Sequence, residues 1–486
     1  MLLAMAHAFR PTVLGSTFGS RMFSASSVRF GDKQRLVIVG SGWGGYETLR
    51  RVDRRRWDVT VISPSNHFNF TPLLASASVG TIEFRCAAES IRRYSPEARA
   101  ATPSSTIDDP HIEEKRATPI AVSAAKAAPL KPGQRFTVPY DKLVIAVGAY
   151  SQTFGIPGVK EHAHFLKDVK DARIIRARIM ECFEQANQPF ITPVERRNLL
   201  HFCVVGGGPT GVEFSAELFD LIHTDLMRAF PYLAREARIT LYDVAPQILG
   251  SFDAGLARYA EHKFRRQGIH IKTSHHVDKV EAGKLFVRQQ GEVPFGLLVW
   301  STGLAPNSLV QSIDGLMKDE RKKRQVVIPG HGLLTDAYLN VLRPDGIPNP
   351  DVWAIGDAAQ CDGAPLPATA QVAMQKAKYL SKQLNKMARG GSAVDEDAEP
   401  DPFEFKNQGA LAYLGSMSAV YDRSQAASGP KRSGSGLFAW LLWRSAYVTR
   451  TVSMRNKILI PMYWYAVFVP WKFSSPMSDL GSVAGC

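Results

Sequence analysis

Two stretches of the chain repeat one pattern of positions, in which an uninterrupted apolar run is followed by closely spaced glycines and then by a mixed apolar and polar segment. The first stretch, from residue 35, reads RLVIVGSGWGGYETL, and the second, from residue 204, reads VVGGGPTGVEFSAEL. Short apolar runs that end at glycine predict buried strands, and the segments after the glycines predict helices. Each repeat therefore predicts a strand, a tight turn and a helix.

The glycine spacing in both repeats is Gly-x-Gly-x-x-Gly. Glycine allows the chain to turn tightly, allows a pyrophosphate to approach the backbone, and allows the helix to pack closely on the strand. The free N–H groups at the helix N-terminus then point towards the phosphates. One copy is weak evidence, but two copies predict two dinucleotide sites. The candidate cofactor-binding glycines are Gly40, Gly42, Gly44 and Gly45 in the first turn and Gly206, Gly208 and Gly211 in the second.

The strand predicted after each helix ends differently in the two repeats. Residues 57–64 read WDVTVISP, so Ser63 stands where many dinucleotide-binding folds place an acid for the ribose hydroxyls. Residues 238–243 read RITLYD, and Asp243 is expected to accept from the ribose 2′-hydroxyl and to repel a 2′-phosphate. This favours NADH over NADPH in the second site, and the alternative is an ordinary surface aspartate.

Three further apolar runs end near a glycine: YDKLVIAVG at 140–148, FGLLVWSTG at 295–303 and VWAIGD at 352–357. Singly, each predicts only a buried strand. In this order after two glycine turns, they resemble the two-dinucleotide flavoprotein disulfide-reductase architecture, in which the Gly-Asp pair holds the ribityl chain of the flavin. The resemblance implies an α/β fold with two Rossmann-like domains, one inserted in the other. It adds Gly148, Gly303, Gly356 and Asp357 to the cofactor-binding candidates.

Composition narrows the class of protein. The chain has 486 residues, enough for about three domains, and its 45% hydrophobic and 21% charged residues indicate a globular protein. Five cysteines, at positions 86, 182, 203, 361 and 486, form no close pair, which argues against a disulfide framework, a zinc ribbon or a dithiol beside a flavin. The net charge of +14 suits nucleic acid or an anionic membrane, but no nucleic-acid-binding motif accompanies it.

Both ends of the chain have a distinctive composition. Residues 1–31 contain arginines, serines and alanines but no acid, which is typical of a mitochondrial transit peptide, and the alternative is a disordered tail. No Asp or Glu occurs between Asp422 and Asp479, whereas basic residues flank the apolar runs LFAWLLW at 437–443 and ILIPMYWYAVFV at 458–469. Both runs are shorter than the roughly 20 residues of a spanning helix, and we expect Pro461 to break the second. They predict helices lying in a membrane interface, or a hairpin packed on the protein or a second subunit.

A narrower resemblance covers most of residues 33–475. The segments GSGWGG (40–45), FNFTPLL (68–74), GGGPTGVE (206–213), AQVAMQK (370–376) and GALAYLG (409–415), with the basic aromatic tail, resemble the type II (alternative) NADH:ubiquinone oxidoreductases of mitochondria. That resemblance implies FAD bound non-covalently by the first turn, NADH bound by the second, and ubiquinone reached from the inner mitochondrial membrane. It adds Thr71 and Ala370 to the cofactor-binding candidates and implies no metal. It also makes a homodimer through the C-terminal region plausible.

The resemblance divides the chain and assigns catalytic candidates. We expect a targeting segment at 1–31, an FAD-binding domain at 32–155 and 305–395, an NADH-binding domain at 156–304 and a membrane-anchoring region at 396–486. Glu213 is the candidate for positioning nicotinamide or delivering a proton, and Gln371 and Gln375, on one helix face, are candidates for lining the quinone end of the flavin. Without the resemblance, Glu213 is a first-turn helix acid and the glutamines are surface residues.

Several interpretations stay open at this point. Residues 95–134 are rich in Ala, Pro and Ser and lack the hairpin of the family, which leaves the affinity for FAD in question. A soluble reductase that serves an iron–sulfur protein, an NADH-binding interaction protein without quinone activity, and a sulfide-oxidising quinone reductase are the alternatives. The expected location is the inner membrane, peripheral, on the matrix face.

Overall fold

The structure is a computed structural model that describes residues 33–94, 138–313, 332–363, 365–389 and 401–466. The targeting segment and the Ala, Pro and Ser-rich segment that the sequence singles out lie outside the described residues. The strands are β1 (Gln34–Val39), β2 (Trp57–Ile62), β3 (His67–Asn69), β4 (Ala88–Ser90), β5 (Lys142–Ile145), β6 (Ala149–Ser151), β7 (His164–Phe165), β8 (His201–Val205), β9 (Arg238–Tyr242), β10 (His270–Lys272), β11 (Val277–Glu281), β12 (Lys284–Val287), β13 (Gly291–Pro294), β14 (Leu297–Trp300), β15 (Leu304–Pro306), β16 (Leu333–Thr335), β17 (Asn340–Leu342), β18 (Pro348–Ala354), β19 (Ala359–Cys361), β20 (Ala410–Tyr413), β21 (Ala419–Asp422) and β22 (Ser433–Gly436).

The helices connect and cover these strands. They are α1 (Trp43–Arg51), α2 (Leu74–Val79), α3 (Val159–His162), α4 (Val169–Ala186), α5 (Pro193–Leu199), α6 (Pro209–Leu221), α7 (Met227–Ala229), α8 (Pro231–Glu236), α9 (Ala254–Gln267), α10 (Ser308–Ser312), α11 (Ala370–Met387), α12 (Leu437–Arg450) and α13 (Met454–Ala466). A π-helical turn at Ile222–Leu226 continues α6, and a 3₁₀ turn at Gly356–Ala358 follows β18.

Two mainly parallel sheets form the two halves of the fold. The larger sheet has the order β19-β16-β17-β18-β5-β1-β2, in which β2, β1, β5 and β18 run parallel. The smaller sheet has the order β10-β9-β8-β14-β7, and its neighbouring strands are all parallel. Strands of the smaller sheet fall between β5 and β16 in sequence, so the second Rossmann-like unit is inserted in the first. The predicted fold class is confirmed.

The two chain segments that connect the halves of the fold lie next to each other. Strand β6 follows β5, strand β15 follows β14, and the two pair antiparallel with Leu304 opposite Ser151. The chain therefore leaves the first half and returns to it through one small two-stranded ribbon. The exact domain boundaries stay a prediction.

Local sequence signals account for the ends of several helices. Helix α4 begins at a capping box between Asp168 and Asp171, and α5 begins at another between Thr192 and Glu195. Helix α9 begins at the N-cap Asp253 and ends at Gly268 in the left-handed conformation. Apolar runs such as β8 and β14 are buried along their whole length, as expected for parallel strands covered on both faces.

The C-terminal region adds a three-stranded sheet, β20-β21-β22, and the helices α12 and α13. The expectation that Pro461 breaks the second apolar run is wrong, because α13 continues through it. Proline removes one backbone hydrogen bond from a helix interior, but Ile460 and Trp464, which are buried on either side, anchor the turn to the core. In the described part of the chain, no helix is long and apolar enough to cross a membrane.

Candidate functional site

The first glycine turn lies where β1 ends. Gly40 has a φ of +107°, and a Cβ there would stand 2.2 Å from the carbonyl oxygen of Ala146, so only glycine fits. A Cβ on Gly45 would stand 2.0 Å from the carbonyl oxygen of Gly40, which brings α1 hard against the turn. Gly42 is the contrast, because nothing lies within 4 Å of its Cβ position. The turn is therefore closely packed at Gly40 and Gly45 and open at Gly42, where a ligand can approach the backbone.

The other candidates for this site gather around the turn. Gly148 and Gly356 follow the neighbouring strands β5 and β18 and both have positive φ, while a Cβ on Gly44 would stand 3.0 Å from the Ile355 side chain. Thr71 accepts a hydrogen bond from Trp43 Nε1 at 3.0 Å, next to the same turn. Ala370 is the first residue of α11, a helix that packs on α1 and on the Gly356–Ala358 turn.

Asp357 lies half-buried in that 3₁₀ turn. Burial raises the pKa of its carboxyl, whereas the ammonium groups of Lys167 and Lys376 lower it. A carboxylate at this place suits the hydroxyl groups of a ribityl chain, since its oxygens accept hydrogen bonds.

The second glycine turn reproduces the first at the end of β8. Gly206 has a φ of +119°, and a Cβ on Gly211 would stand 2.0 Å from the carbonyl oxygen of Gly206. Gly208, like Gly42, has nothing within 4 Å of its Cβ position. Gly303 follows the neighbouring strand β14, has a φ of +52°, and lies against Gln152 and Phe154.

Asp243 follows β9 beside the second turn. Its Oδ2 accepts from the Gly207 N–H, and its Oδ1 accepts from the Ala245 N–H at 2.6 Å. The carboxylate therefore fastens the glycine turn to the end of β9. Each oxygen keeps a lone pair for the hydroxyl of a ribose.

Both turns fit dinucleotides. In each, the space in front of the middle glycine is one that a Cβ would fill, and the N-cap glycine supplies no side-chain acceptor for the first N–H groups of the helix. Unsatisfied N–H groups at a helix start favour a pyrophosphate. The two sheets, each with such a turn at the carboxyl ends of its strands, define an oxidoreductase of the kind that brings two dinucleotides together.

Glu213 is buried two residues beyond the last glycine of the second turn. Its Oε1 accepts hydrogen bonds from the Tyr413 backbone N–H at 3.1 Å and from Trp443 Nε1 at 3.0 Å. In the described part of the chain, no Lys, Arg or His forms an ion pair with it. Burial raises the pKa of Glu213 to about 7, with the two hydrogen bonds and Glu217 as smaller influences. The carboxyl is thus able to carry or release a proton near neutral pH.

Two more acids share the helix face of Glu213. Glu217 accepts from the Ser76 and Thr81 hydroxyls at 2.5 and 2.7 Å, and burial raises its pKa to about 7. Asp220 accepts from the Tyr413 hydroxyl at 2.6 Å and from the Ser416 N–H at 3.0 Å. At a spacing of four and seven residues, the three carboxyls form one stripe along α6.

Aromatic rings enclose the Glu213 end of this stripe. Trp443 packs edge-on to Tyr447, with ring centroids 4.9 Å apart, and Tyr447 packs edge-on to Phe70 at 6.3 Å. Arg444, the next residue after Trp443, lies over the rings of Trp440 and Trp464 at 4.0 and 4.6 Å. Burial lowers the pKa of Arg444 to about 10. The C-terminal helices therefore close the region around Glu213 with apolar surface.

Gln371 and Gln375 face a different structure, the backbone of residues 406–409. Gln371 donates to the Gly409 carbonyl at 2.8 Å and accepts from the Gln408 N–H at 3.0 Å. Gln375 donates to the Lys406 carbonyl at 2.9 Å and accepts from the Lys406 N–H at 3.0 Å. Gly409 directly precedes β20, and Tyr413 is the last residue of that strand. About 13 Å of extended chain therefore lies between the backbone that Gln371 contacts and the Tyr413 N–H that Glu213 accepts from.

The sequence interpretation missed several residues of this region: Glu217, Asp220, Tyr413, Trp443, Tyr447, Lys167 and Lys376. The sequence held a signal for Glu217 and Asp220, because their spacing from Glu213 places all three acids on one face of a mainly apolar helix. The aromatic residues had no such signal beyond composition, since the contacts of Tyr413 and Trp443 with Glu213 join positions 200 and 230 residues apart.

Comparisons with known proteins agree with the fold. The pyridine nucleotide-disulphide oxidoreductase family matches residues 34–377, and the NDH2 C-terminal domain matches residues 407–469. The internal alternative NAD(P)H-ubiquinone oxidoreductase A1 of Arabidopsis thaliana is 38% identical over 90% of this chain and 85% of its own. The external NADH-ubiquinone oxidoreductase 2 of Saccharomyces cerevisiae is 36% identical over 91% of this chain and 82% of its own.

Solved structures give the same result. NDH2 from Plasmodium falciparum in complex with NADH has a TM-score of 0.74 and 25% identity, and the match covers 89% of this chain and 98% of that one. The sulfide:quinone oxidoreductase of Aquifex aeolicus, with a TM-score of 0.60 and 16% identity over 85% of this chain and 90% of that one, shares the fold. The chain belongs to the pyridine nucleotide-disulphide oxidoreductases and, within them, to the alternative NAD(P)H-ubiquinone oxidoreductases.

Proposed function

We propose that this chain is a non-proton-pumping NADH:ubiquinone oxidoreductase in which NADH reduces FAD and the electrons then pass to ubiquinone. The observation that carries the proposal is the pair of glycine turns, each closely packed at its first and last glycine and open at its middle glycine, with a buried carboxyl of near-neutral pKa, Glu213, just beyond the second turn. The flavin, when bound, supplies the hydride acceptor and the electron donor, and the protein supplies positioning and protons.

The two turns have separate tasks in this proposal. The turn from Gly40 to Gly45, with Thr71, Gly148, Gly356, Asp357 and Ala370, holds FAD, because these residues gather at the carboxyl ends of β1, β5 and β18. The turn from Gly206 to Gly211, with Asp243 and Gly303, holds NADH at the ends of β8, β9 and β14.

Glu213 is the proton donor to the quinone in this mechanism. Reduction of a quinone to a quinol takes two electrons and two protons. The hydride of NADH accounts for both electrons and one of the protons, so one buried acid that is half-protonated near pH 7 suits the supply of the other. The Trp443 and Tyr413 N–H groups stabilise the carboxylate that is left after one proton has been given. The surrounding rings of Trp443, Tyr447 and Phe70 exclude water and suit an apolar quinone.

Gln371 and Gln375 act in this proposal as positioning residues at the quinone end of the flavin. Each amide pairs with the backbone of residues 406–409, and that segment leads through β20 to the Tyr413 N–H on Glu213. The two side chains thus hold the C-terminal region on α11.

The C-terminal helices are the proposed membrane-binding surface. The exposed face of α13 includes Met454, Ile458, Pro461, Met462 and Tyr465, and the charged residues of the helix, Arg455 and Lys457, lie in its first turn. Helix α12 exposes Leu437, Phe438 and Leu441, and its Phe438 side chain is 73% exposed. A helix that is apolar on its outer as well as its inner face suits a lipid interface.

Vesicle sedimentation tests this surface. Phe438→Glu combined with Met462→Glu is expected to lower binding to anionic vesicles at least tenfold, because both side chains would leave the acyl boundary. Phe190→Glu is the matched control, since Phe190 is 94% exposed on the NADH-binding half. Equal losses in both proteins would contradict the assignment.

The proposed location is the matrix face of the inner mitochondrial membrane. The composition of residues 1–31 and the mitochondrial relatives, among them one named as internal, support it. Protease treatment of intact mitochondria and of mitoplasts tests the face, since a matrix protein resists digestion in both. A homodimer through the C-terminal region is also proposed, and sedimentation in detergent tests it.

An absorbance spectrum tests the central proposal. The purified, membrane-reconstituted protein is expected to show a flavin band that bleaches with NADH and returns when a soluble quinone is added. A colourless protein that still binds NADH would favour an NADH-binding interaction protein instead. A flavin band that bleaches and does not return with quinone would favour a reductase with another acceptor.

A further inference from the structure

An aromatic ring beside the start of α13 carries two guanidinium groups. Phe84 begins a 3₁₀ turn that ends at Cys86. Arg173 and Arg176 of α4 place their guanidinium carbons 5.2 and 5.6 Å from the centre of the Phe84 ring. The Arg176 guanidinium also lies against Gly80, since a Cβ there would stand 3.0 Å from it. Both ring distances suit a cation–π contact, so Phe84 holds two positive charges at one place.

Two more arginines lie next to this ring. Arg85 follows Phe84 and is exposed, and its carbonyl accepts a hydrogen bond from the Arg455 guanidinium of α13 at 3.3 Å. The buried side chain of Asn456 donates to the Cys86 carbonyl at 3.1 Å, which fixes the start of α13 on the same 3₁₀ turn. The arginine cluster consists of Arg85, Arg173, Arg176 and Arg455.

The protein does not neutralise this cluster. Among the residues that the structure describes, no Asp or Glu, the neighbouring Glu83 included, forms an ion pair with any of the four arginines. Arg178 of the same helix gives the contrast, because it pairs with Glu181 at 3.2 Å. Like charges three residues apart, as at Arg173 and Arg176, destabilise a helix. An anion from outside the chain would therefore stabilise the cluster.

The cluster borders the apolar exposed face of α13. Arg455 is exposed, follows the exposed Met454 and lies one turn before the exposed Ile458. A molecule that touches both surfaces needs a negatively charged group and an apolar part. Guanidinium groups bind phosphate oxygens with two parallel hydrogen bonds. An anionic phospholipid supplies both parts, whereas nucleic acid supplies phosphates without acyl chains.

We propose that the arginine cluster binds the headgroup phosphates of anionic phospholipids at the membrane surface. The proposal rests on the assignment of α12 and α13 to that surface. Arg85 belongs to the half with the first glycine turn, Arg173 to the half with the second, and Arg455 to the C-terminal region. Lipid bound at the cluster therefore contacts all three parts of the chain and fixes the orientation of the enzyme on the membrane.

Vesicle sedimentation of the full-length protein at physiological ionic strength tests the proposal. Arg85→Gln combined with Arg173→Gln removes two exposed charges of the cluster, one from each half. An arginine near an anionic surface strengthens binding about fivefold. This cluster pair is therefore expected to bind mixed phosphatidylcholine and phosphatidylserine vesicles about 30-fold more weakly than the wild type.

The matched control removes the same charge outside the cluster. Arg197→Gln combined with Arg343→Gln changes exposed arginines of α5 and of the turn between β17 and β18, again one from each half. This control pair is expected to stay within about threefold of the wild type, because charges away from the membrane are screened by salt. On vesicles of phosphatidylcholine alone, the cluster pair should bind like the wild type, since the apolar faces of α12 and α13 remain.

The outcomes separate this inference from the proposed membrane surface. Equal binding of the cluster pair and the wild type to the anionic vesicles would overturn the inference and leave an acidic protein as the partner of the cluster. An equal loss in the control pair would also overturn it, because net charge alone would then explain binding. If the wild type binds neither kind of vesicle, the membrane assignment of α12 and α13 fails instead.

Turnover with NADH and a soluble quinone shows whether the cluster pair is folded, since neither arginine contacts the glycine turns or Glu213. If the pair has lost turnover, Arg85→Gln alone decides by the same sedimentation, with an expected loss of about fivefold on anionic vesicles.

Discussion

Two glutamates occupy the same place in the two halves of the molecule. Glu47 stands two residues after Gly45, and Glu213 stands two residues after Gly211, each on the buried face of the helix that follows a glycine turn. Glu47 forms ion pairs with Arg50 at 2.7 Å and with Arg51 at 2.5 Å, both one turn further along α1. Glu213 meets two neutral N–H donors.

The difference shows that equivalent glutamates in two similar units acquire different roles from the groups that surround them. The Glu47 carboxylate forms ion pairs with two guanidinium groups and so ties the surface of α1 together. A carboxyl in an apolar enclosure without a cation has its pKa raised to about 7 by burial, and it can exchange a proton at neutral pH. The first glutamate is structural, and the second is the proposed proton donor.

Glu213→Gln tests this contrast most strongly. We expect turnover with ubiquinone to fall about 100-fold or more, equivalent to about 3 kcal/mol, because the proton donor is lost. Reduction of the bound flavin by NADH should stay within about threefold of wild type. Stopped-flow reduction and steady-state quinone turnover separate the two steps, and a parallel loss in both would remove Glu213 from the quinone step.

The same assignment fixes the direction of a pH dependence. A donor must be protonated, so quinone turnover of the wild type should decline as pH rises above about 7, the pKa to which burial raises Glu213. Glu213→Gln should lack this decline. Trp443→Phe removes a hydrogen bond that lowers the pKa of Glu213, and its decline should move to higher pH.

Glu217→Gln tests the second buried acid through stability. Burial raises the pKa of Glu217 from 4.5 to about 7, so the stability due to its protonated form is present below pH 4.5 and is lost as pH rises through about 7. At pH 8 the variant should be more stable by an amount on the order of 3 kcal/mol. Thermal melting at pH 5 and pH 8 measures this, with the exposed Glu184→Gln as the control, and an equal gain at both pH values would contradict it.

Alanine at the middle glycine of each turn, Gly42 or Gly208, tests which ligand each turn binds. Gly42→Ala and Gly208→Ala place a Cβ where no protein atom lies within 4 Å, so both variants should fold. The first should lose FAD affinity about tenfold, and the second should raise KM for NADH about tenfold with the flavin retained. If both affect the same ligand, the separate assignment fails. Gly45→Ala, which would collide with the Gly40 carbonyl, should not fold at all.

Glu47→Gln is expected to have the smallest effect. It weakens the ion pairs with Arg50 and Arg51, whose side chains are 30% and 43% exposed, so we expect a loss of about 1 kcal/mol in stability. Quinone turnover and its pH profile should match the wild type. A loss of turnover comparable to that of Glu213→Gln would show that the position itself, and not its surroundings, determines the function.

The sequence determined the elements that depend on neighbouring residues. The apolar run of β1 and the spacing of Gly40, Gly42 and Gly45 act within a dozen residues, and they predict a strand, a turn and a helix without further information. The second copy did the same, and the family resemblance that the order of the segments carries implied the insertion of one half in the other. Pro461 is the exception, since buried neighbours keep α13 helical against a local signal.

Only the tertiary structure decided what surrounds each side chain. The residues around each turn do not by themselves distinguish Glu47 from Glu213, and only the family resemblance singled out Glu213, because its contacts come from Tyr413 and Trp443, 200 and 230 residues away. The partners of Gln371 and the burial of Lys376 are likewise set by elements distant in the chain. A pKa, a hydrogen bond or an ion pair depends on desolvation and on partners within a few ångströms, and folding alone brings those partners together.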